Sequence, residues 1–367
     1  MRLPLLVFSS GQILRPRLGH GKRFFDALDS CQTARQRNRL SGEKRNRHDH
    51  GEQSLPDGRA TGPNAPEDFA MNCREFIHPE DEAAMRNLSA VPGFDKIARL
   101  LMENVTENLM HGLYTAQNIR LSPTQLPEIY NLLPPICAKF DIELPEFYLT
   151  MNPAPNAWTI GDNRKFIVLT SGLLDHISDK NELRSIVAHE CGHILCRHVF
   201  YNTVAMLLVK FGESLGLAQV VIAPIMLALK YWQRRSELSA DRASVVYMGE
   251  PETPSRALLR ICGGPAKLTA DINLSEYAEQ AKAYDALLAN SKWNKFLQNM
   301  AVLDADHPFA AVRIREILSW SQSPQFKKLK DNMANTATHP LCPSCGRKIS
   351  TEAKYCKFCG TKLKGNT

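Results

Sequence analysis

The sequence predicts an α+β fold that is predominantly helical, with a small β-sheet and a separate small zinc-ribbon module at the C-terminal end. Three observations carry this. Apolar residues recur at helical spacing through most of residues 71–321. Two short runs rich in β-branched and aromatic residues, Phe147-Tyr148-Leu149-Thr150 and Phe166-Ile167-Val168-Leu169-Thr170, flank a turn-rich stretch. Two C-x-x-C pairs, Cys342/Cys345 and Cys356/Cys359, follow a basic linker.

The helical part divides as follows. Ala90-Val91-Pro92-Gly93 interrupts the first helical stretch, after which Phe94, Ile97, Leu100, Leu101 and Val105 recur on one face. Thr124 to Phe140 reads as a single helix with Leu126, Ile129, Tyr130 and Leu133 on its apolar side. The two β-type runs come next, separated by Asn152-Pro153-Ala154-Pro155-Asn156 and Gly161-Asp162-Asn163. A strand here offers a free edge to an extended peptide. A helix then begins at Asp179, whose carboxylate suits an N-cap, with Glu182 three residues on completing a capping-box pattern. Val204 to Trp232 is unusually apolar. Its longest uncharged run, Ser214 to Leu229, falls short of the roughly 20 residues a spanning helix needs. A buried helical hairpin is expected there, with membrane contact as the alternative.

Four segments follow from this: a poorly ordered extension over 1–70, the main folded domain over 71–321, a linker over 322–340 and the cysteine module over 341–367. Residues 1–70 are rich in Arg, Gly, Asn and Asp and lack sustained periodicity. Ordered sequence begins at Met71, which could itself be the true start. The apolar run at the extreme N-terminus is short for a signal peptide. The net charge of +7 belongs to the ends: +4 over 1–70 and +7 over 322–367, against −4 for the middle. Nucleic acid is therefore not expected as a partner of the central domain, and membrane association stays open. The sequence does not specify an oligomeric state. The remaining cysteines, Cys31, Cys73, Cys137, Cys191, Cys196 and Cys262, have no spacing logic, so a reducing, cytoplasmic setting is expected.

The chemistry centres on His189-Glu190-Cys191-Gly192-His193. On a helix, this H-E-x-x-H pattern puts two imidazoles one turn apart beside a carboxylate, a set able to hold zinc and activate a water. A catalytic zinc wants a third protein ligand. The extended pattern ending in a third histidine fails, because Cys196 takes the glycine position, Val199 the final position, and His198 lies one residue out of register. Ser236-Glu237-Leu238-Ser239-Ala240-Asp241 supplies the alternative. Glu237 ligates, and Asp241 one turn later accepts a hydrogen bond from a zinc-bound imidazole. The metal ligands are thus expected to be His189, His193 and Glu237, with Glu190 as general base. His307 or Arg313 is the candidate donor to the developing oxyanion. His198, Cys191 and Cys196 read as ordinary neighbours of the site. Cys342, Cys345, Cys356 and Cys359 are expected to hold a second, structural zinc in a closed tetrahedral site, with Gly346 and Gly360 in the knuckle turns.

These motifs resemble those of the HtpX-like zinc metallopeptidases, a group that includes the CAAX prenyl endopeptidases. The likeness runs from about Phe76 to Trp320. It rests on Ala188-His-Glu-Cys-Gly-His-Ile194, Ser236-Glu-Leu-Ser-Ala-Asp-Arg242, His307-Pro with Arg313-Ile314, Asn152-Pro-x-Pro-Asn156-Ala157 and Leu169-Thr-Ser-Gly-Leu173. It implies a zincin-like (gluzincin) fold, zinc-dependent endopeptidase activity on protein substrates, a role in protein quality control, and the ligand roles just given. Many members carry transmembrane helices ahead of the zinc helix, and none is evident here. A membrane-associated protease of the same chemistry and a non-catalytic zinc-binding interaction protein are the competing readings.

Overall fold

The computed structural model describes residues 71–104, 107–212, 219–289 and 309–335, with positions 342, 349, 353–356 and 360–363 of the C-terminal module. The extension 1–70, His307, Cys345 and Cys359 lie outside the described residues.

Helix α1 (Pro79–Ser89) starts with proline in its first turn, where a missing N–H costs nothing, and His78 Nδ1 accepts the Glu80 N–H. Helices α2 (Phe94–Asn104) and α3 (Glu107–Gln117) follow, then strand β1 (Ile119–Arg120). The helix expected over Thr124 to Phe140 is broken into α4 (Pro127–Tyr130) and α5 (Leu133–Phe140). Pro134 and Pro135 have no N–H to continue a ladder, so the chain restarts there with both prolines in a first turn. Both β-type runs are strands, β2 (Glu146–Thr150) and β4 (Lys165–Thr170). The turn-rich stretch hides a further strand, β3 (Ala157–Gly161), which hairpins onto β4 with Thr159 opposite Ile167. Prolines before it and a glycine at its end masked its alternation. Ala157 and Thr159 take one face, and Trp158 and Ile160 the other. The sheet order is β1-β2-β4-β3; β2 and β4 are parallel, the other pairs antiparallel, and β3 is an edge.

After α6 (Ser171–His176) comes the long helix α7 (Lys180–Leu195), which carries the H-E-x-x-H motif in its second half. Asp179 caps it as expected, accepting from the Asn181 and Glu182 N–H groups. Glu182 does not close the box. It turns instead to Arg260, with contacts of 3.2 and 3.1 Å. At the end of α7, Arg197 adopts φ 60°, and α8 (His198–Phe211) leaves at a bend of 90°. Helix α9 (Gln219–Met248) then runs back across α7. Helices α10 (Glu252–Gly263), α11 (Ala266–Thr269), α12 (Leu274–Ala289), α13 (Ala310–Trp320) and α14 (Pro324–Asn335) complete the described domain.

The main core packs α5, α7, the second half of α9, α10 and α13 against one face of the sheet. A second apolar cluster joins Leu88 and Phe94 of α1 and α2 to Val204, Leu208, Ile225 and Trp232 of α8 and α9. The apolar stretch singled out in the sequence is thus partly consumed as core, while Val209, Val220, Val221 and Leu227 remain exposed. No single helix among the described residues is long and apolar enough to cross a membrane. The bent pair α7–α8 meets the length and composition together, but the metal-motif half of that pair is buried. Cys73 and Cys196, expected as unpaired thiols, form a disulfide between residues 123 apart. No local spacing announces such a pair.

In the cysteine module, Cys342 and Cys356 are buried with Leu363. Gly360 sits at φ 73° and closes a turn back to the Cys356 carbonyl.

Candidate metal centre

The i,i+4 spacing on α7 sets His189 and His193 on one face, with Nε2 atoms 3.2 Å apart. Helix α9 crosses closely enough to bring Glu237 onto them. The reason lies in Gly192: a Cβ there would stand 2.7 Å from the Ala243 side chain and 3.2 Å from Ala240 Cα. A glycine on one helix and alanines on the other therefore let the backbones approach. Glu237 Oε2 lies 3.4 Å from His189 Nε2, and Oε1 lies 3.3 Å from His193 Nε2. The three groups are all buried.

These distances suit a metal. Ligand atoms about 2.0–2.1 Å from a tetrahedral zinc stand about 3.3 Å from one another. The two Nε2 atoms stand 3.2 Å apart, and each faces its own oxygen of the Glu237 carboxylate, at 3.4 and 3.3 Å. Both Nδ1 atoms are taken up elsewhere: His189 Nδ1 faces Asp241 Oδ1 at 3.0 Å, and His193 Nδ1 faces His198 Nδ1 at 2.9 Å. The Nε2 lone pairs are thereby left to converge on one point, a donor set that fits zinc.

The electrostatics agree. Glu190, Glu237 and Asp241 crowd the site against one guanidinium, Arg313. Burial alone would lower the pKa of His189, but hydrogen bonds to Asp241 and Glu237 outweigh it and raise it to about 10. The neighbouring acids thus favour positive charge at this ring. His193 is shifted downward, chiefly by burial, which Glu237 only partly offsets. Asp241 is held below the ordinary carboxylate value: burial opposes this, and Arg313 and His189 overcome it.

The expected site residues fall into place unevenly. His189, Glu190, His193, Glu237, Asp241 and Arg313 come together. Arg313 was expected as an oxyanion donor, yet its Nε and Nη2 bond Asp241 at 2.8 and 2.6 Å, and Nη1 lies 2.9 Å from Glu237 Oε2. Its Nε and Nη2 are committed to Asp241, while Nη1 stands at ion-pair distance from Glu237. Thr159, which sequence reasoning passed over, and His198, which it read as an ordinary neighbour, both sit in contact with the motif. Thr159 of β3 donates to Glu190 Oε2 at 2.6 Å, and His198 touches His193. Beside Glu190 and His189 opens a mainly apolar pocket lined by Ala157, Ile186, Pro254, Leu258 and Ile261.

The sequence is similar to those of known proteins. Residues 125–321 match the profile of peptidase family M48, and residues 341–363 match a zinc-ribbon domain. The chain is 29% identical over 262 residues to a plastoglobule-localized metallopeptidase 48, chloroplastic, of Arabidopsis thaliana, covering 71% of this chain and 76% of that protein. It is 23% identical over 246 residues to a Protease HtpX homolog of Ralstonia pickettii, covering 60% and 82%. A Protease HtpX homolog 2 of Methanosarcina mazei is 26% identical over 186 residues, covering 43% and 63%. The profile covers more than half of the chain and agrees with the HtpX-like resemblance of its motifs: the chain belongs to peptidase family M48 and is a zinc metalloprotease of protein substrates.

Proposed function

We propose that His189 Nε2, His193 Nε2 and Glu237 hold the catalytic zinc and that Glu190 is the general base of peptide-bond hydrolysis. The approach of both Nε2 atoms and the Glu237 carboxylate to within 3.2–3.4 Å of one another supports this reading. Zinc, when bound in such a site, lowers the pKa of a coordinated water and polarises the scissile carbonyl. The chain's own residues do the rest. Glu190 takes a proton from the attacking water at its carboxylate and passes it to the leaving amine. Thr159 holds that carboxylate in place from the sheet. Asp241 fixes His189 with its proton on Nδ1. Arg313 acts as a positioning residue that neutralises Glu237 and Asp241, and His307 is the proposed oxyanion donor. An extended substrate pairs with the outer edge of β3 and lays an apolar side chain in the pocket beside Ile186 and Leu258. Unfolded protein, as in quality control, suits such backbone-directed recognition.

A second zinc held by Cys342, Cys345, Cys356 and Cys359 is proposed as structural, with the module serving recruitment. Two zincs per chain are expected, falling to one when residues 341–367 are removed. The primary test is Glu190→Gln assayed on an unfolded protein. We expect full zinc content and a loss of about 10²–10⁴ in kcat. Substantial residual hydrolysis would sink the assignment of the base.

A second reading concerns location. The exposed Val209, Val220, Val221 and Leu227 favour peripheral membrane contact by α8 and α9. Co-sedimentation with anionic vesicles, lost on changing Val209 and Val220 to Ser, is the expected result.

A further inference from the structure

The two histidines of the motif are held in different ways. His189 Nδ1 meets a carboxylate directly, at Asp241. His193 Nδ1 meets another imidazole, His198, at 2.9 Å, and only beyond it a carboxylate: His198 Nε2 lies 3.0 Å from Asp81 Oδ2. His198 and Asp81 are both fully buried. Asp81 comes from α1, far from the motif in sequence, and His198 is the first residue of α8, set beside His193 by the left-handed turn at Arg197.

Ligation through His193 Nε2 dictates where the protons of this chain sit. A contact between two ring nitrogens needs one donor and one acceptor. Provided His193 ligates through Nε2, on which this inference rests, its proton sits on Nδ1 and His198 Nδ1 must accept. The His198 proton then sits on Nε2, facing Asp81. That carboxylate also accepts the Trp232 Nε1–H at 3.0 Å and the Ser239 hydroxyl at 2.5 Å, while the Ser239 oxygen accepts the His78 N–H at 2.9 Å. Asp81 thus receives only donors, and its orientation is locked on both oxygens. The His198 ring is itself wedged edge-on between His193 and Trp232, with centroids at 5.2 and 5.6 Å.

We propose that His198 and Asp81 form a relay that fixes the tautomer and ring direction of His193, making His198 a positioning residue for metal capture. The carboxylate–histidine contact that orients a ligand is here extended by one imidazole.

The test is zinc affinity in the full chain, read by chelator competition. The phase abolished by His193→Ala reports the histidine site, and the other phase is the internal reference. His198→Phe keeps the ring bulk but removes the acceptor, and the histidine-site affinity should fall about 10- to 100-fold. His198→Gln offers an amide oxygen to His193 and an amide N–H to Asp81, and should stay within about threefold of wild type. Affinity unchanged in His198→Phe, or lost equally in His198→Gln, overturns the relay. If His193→Ala itself leaves zinc binding intact, the ligand assignment fails rather than the relay. Should His198→Phe not fold, histidine ¹⁵N spectra of the zinc-loaded wild type decide. A proton on His193 Nδ1 and on His198 Nε2 supports the relay, and a proton on His198 Nδ1 overturns it.

Discussion

Thr159 Oγ1 donates to Glu190 Oε2 at 2.6 Å, so the carboxylate beside the metal ligands is anchored from the edge strand and not from its own helix. Thr159→Val should keep zinc content and fold while kcat drops about tenfold or more, because the base loses its only strand-borne donor among the described contacts. Thr159→Ser should restore most of it. Steady-state kinetics alongside metal analysis would check this, and an unchanged kcat in Thr159→Val would remove Thr159 from the site.

Arg313 is buried with its guanidinium against Asp241 and Glu237. Arg313→Ala leaves two buried acids without their countercharge, at a cost of about 3–5 kcal/mol. The loss should be largest in chelator and partly recovered with zinc, since a divalent cation meets the same acids. Denaturant melts in both conditions measure this. A zinc-independent loss would contradict the charge-balancing role.

Gly192 lets α7 and α9 touch. Gly192→Ala places a methyl group 2.7 Å from Ala243 and should destabilise the fold by about 1–3 kcal/mol, moving Glu237 away from the histidines. Thermal melting and zinc affinity should fall together. Pairing it with Ala243→Gly should recover part of both.

Stability in acid should report Asp81. Its burial would raise the pKa, but His198, Ser239 and Trp232 outweigh that and hold it below the ordinary value. A depressed folded pKa means a contribution fully present above the unfolded value, near 3.9, and lost as pH falls through the folded one. In chelator, wild type should therefore lose stability more steeply below about pH 4 than Asp81→Asn, and the two should run parallel above about pH 5. Parallel curves throughout the acid range would show that Asp81 does not titrate with unfolding.

What the sequence made readable was local. His189, Glu190 and His193 lie within one helical turn, and Glu237 with Asp241 form a similar turn, so spacing alone set each pair on a face. Their meeting depended on small residues at a helix crossing, Gly192 against Ala240 and Ala243, which carry no chemical signal. Thr159, Asp81 and the Cys73–Cys196 pair were illegible for the same reason: each acts across a long loop of chain, and nothing nearby in sequence marks the partner. The helix over 124–140 failed because periodicity outweighed the two prolines. β3 was overlooked because five strand residues sat inside a turn-like composition. Arg313 is legible as part of the site, but its pairing with Asp241 and Glu237 is a tertiary fact.

The turn between α7 and α8 is fastened twice to the chain ahead of residue 90, by Cys73–Cys196 and by Asp81–His198. The region that matches the peptidase family begins only at residue 125. A fragment trimmed to that match would keep every candidate ligand of the histidine site yet shed both fasteners, together with the α1 face that covers Trp232. A portion that keeps both fasteners starts no later than Cys73, and the first helix reaches the histidine site through His198.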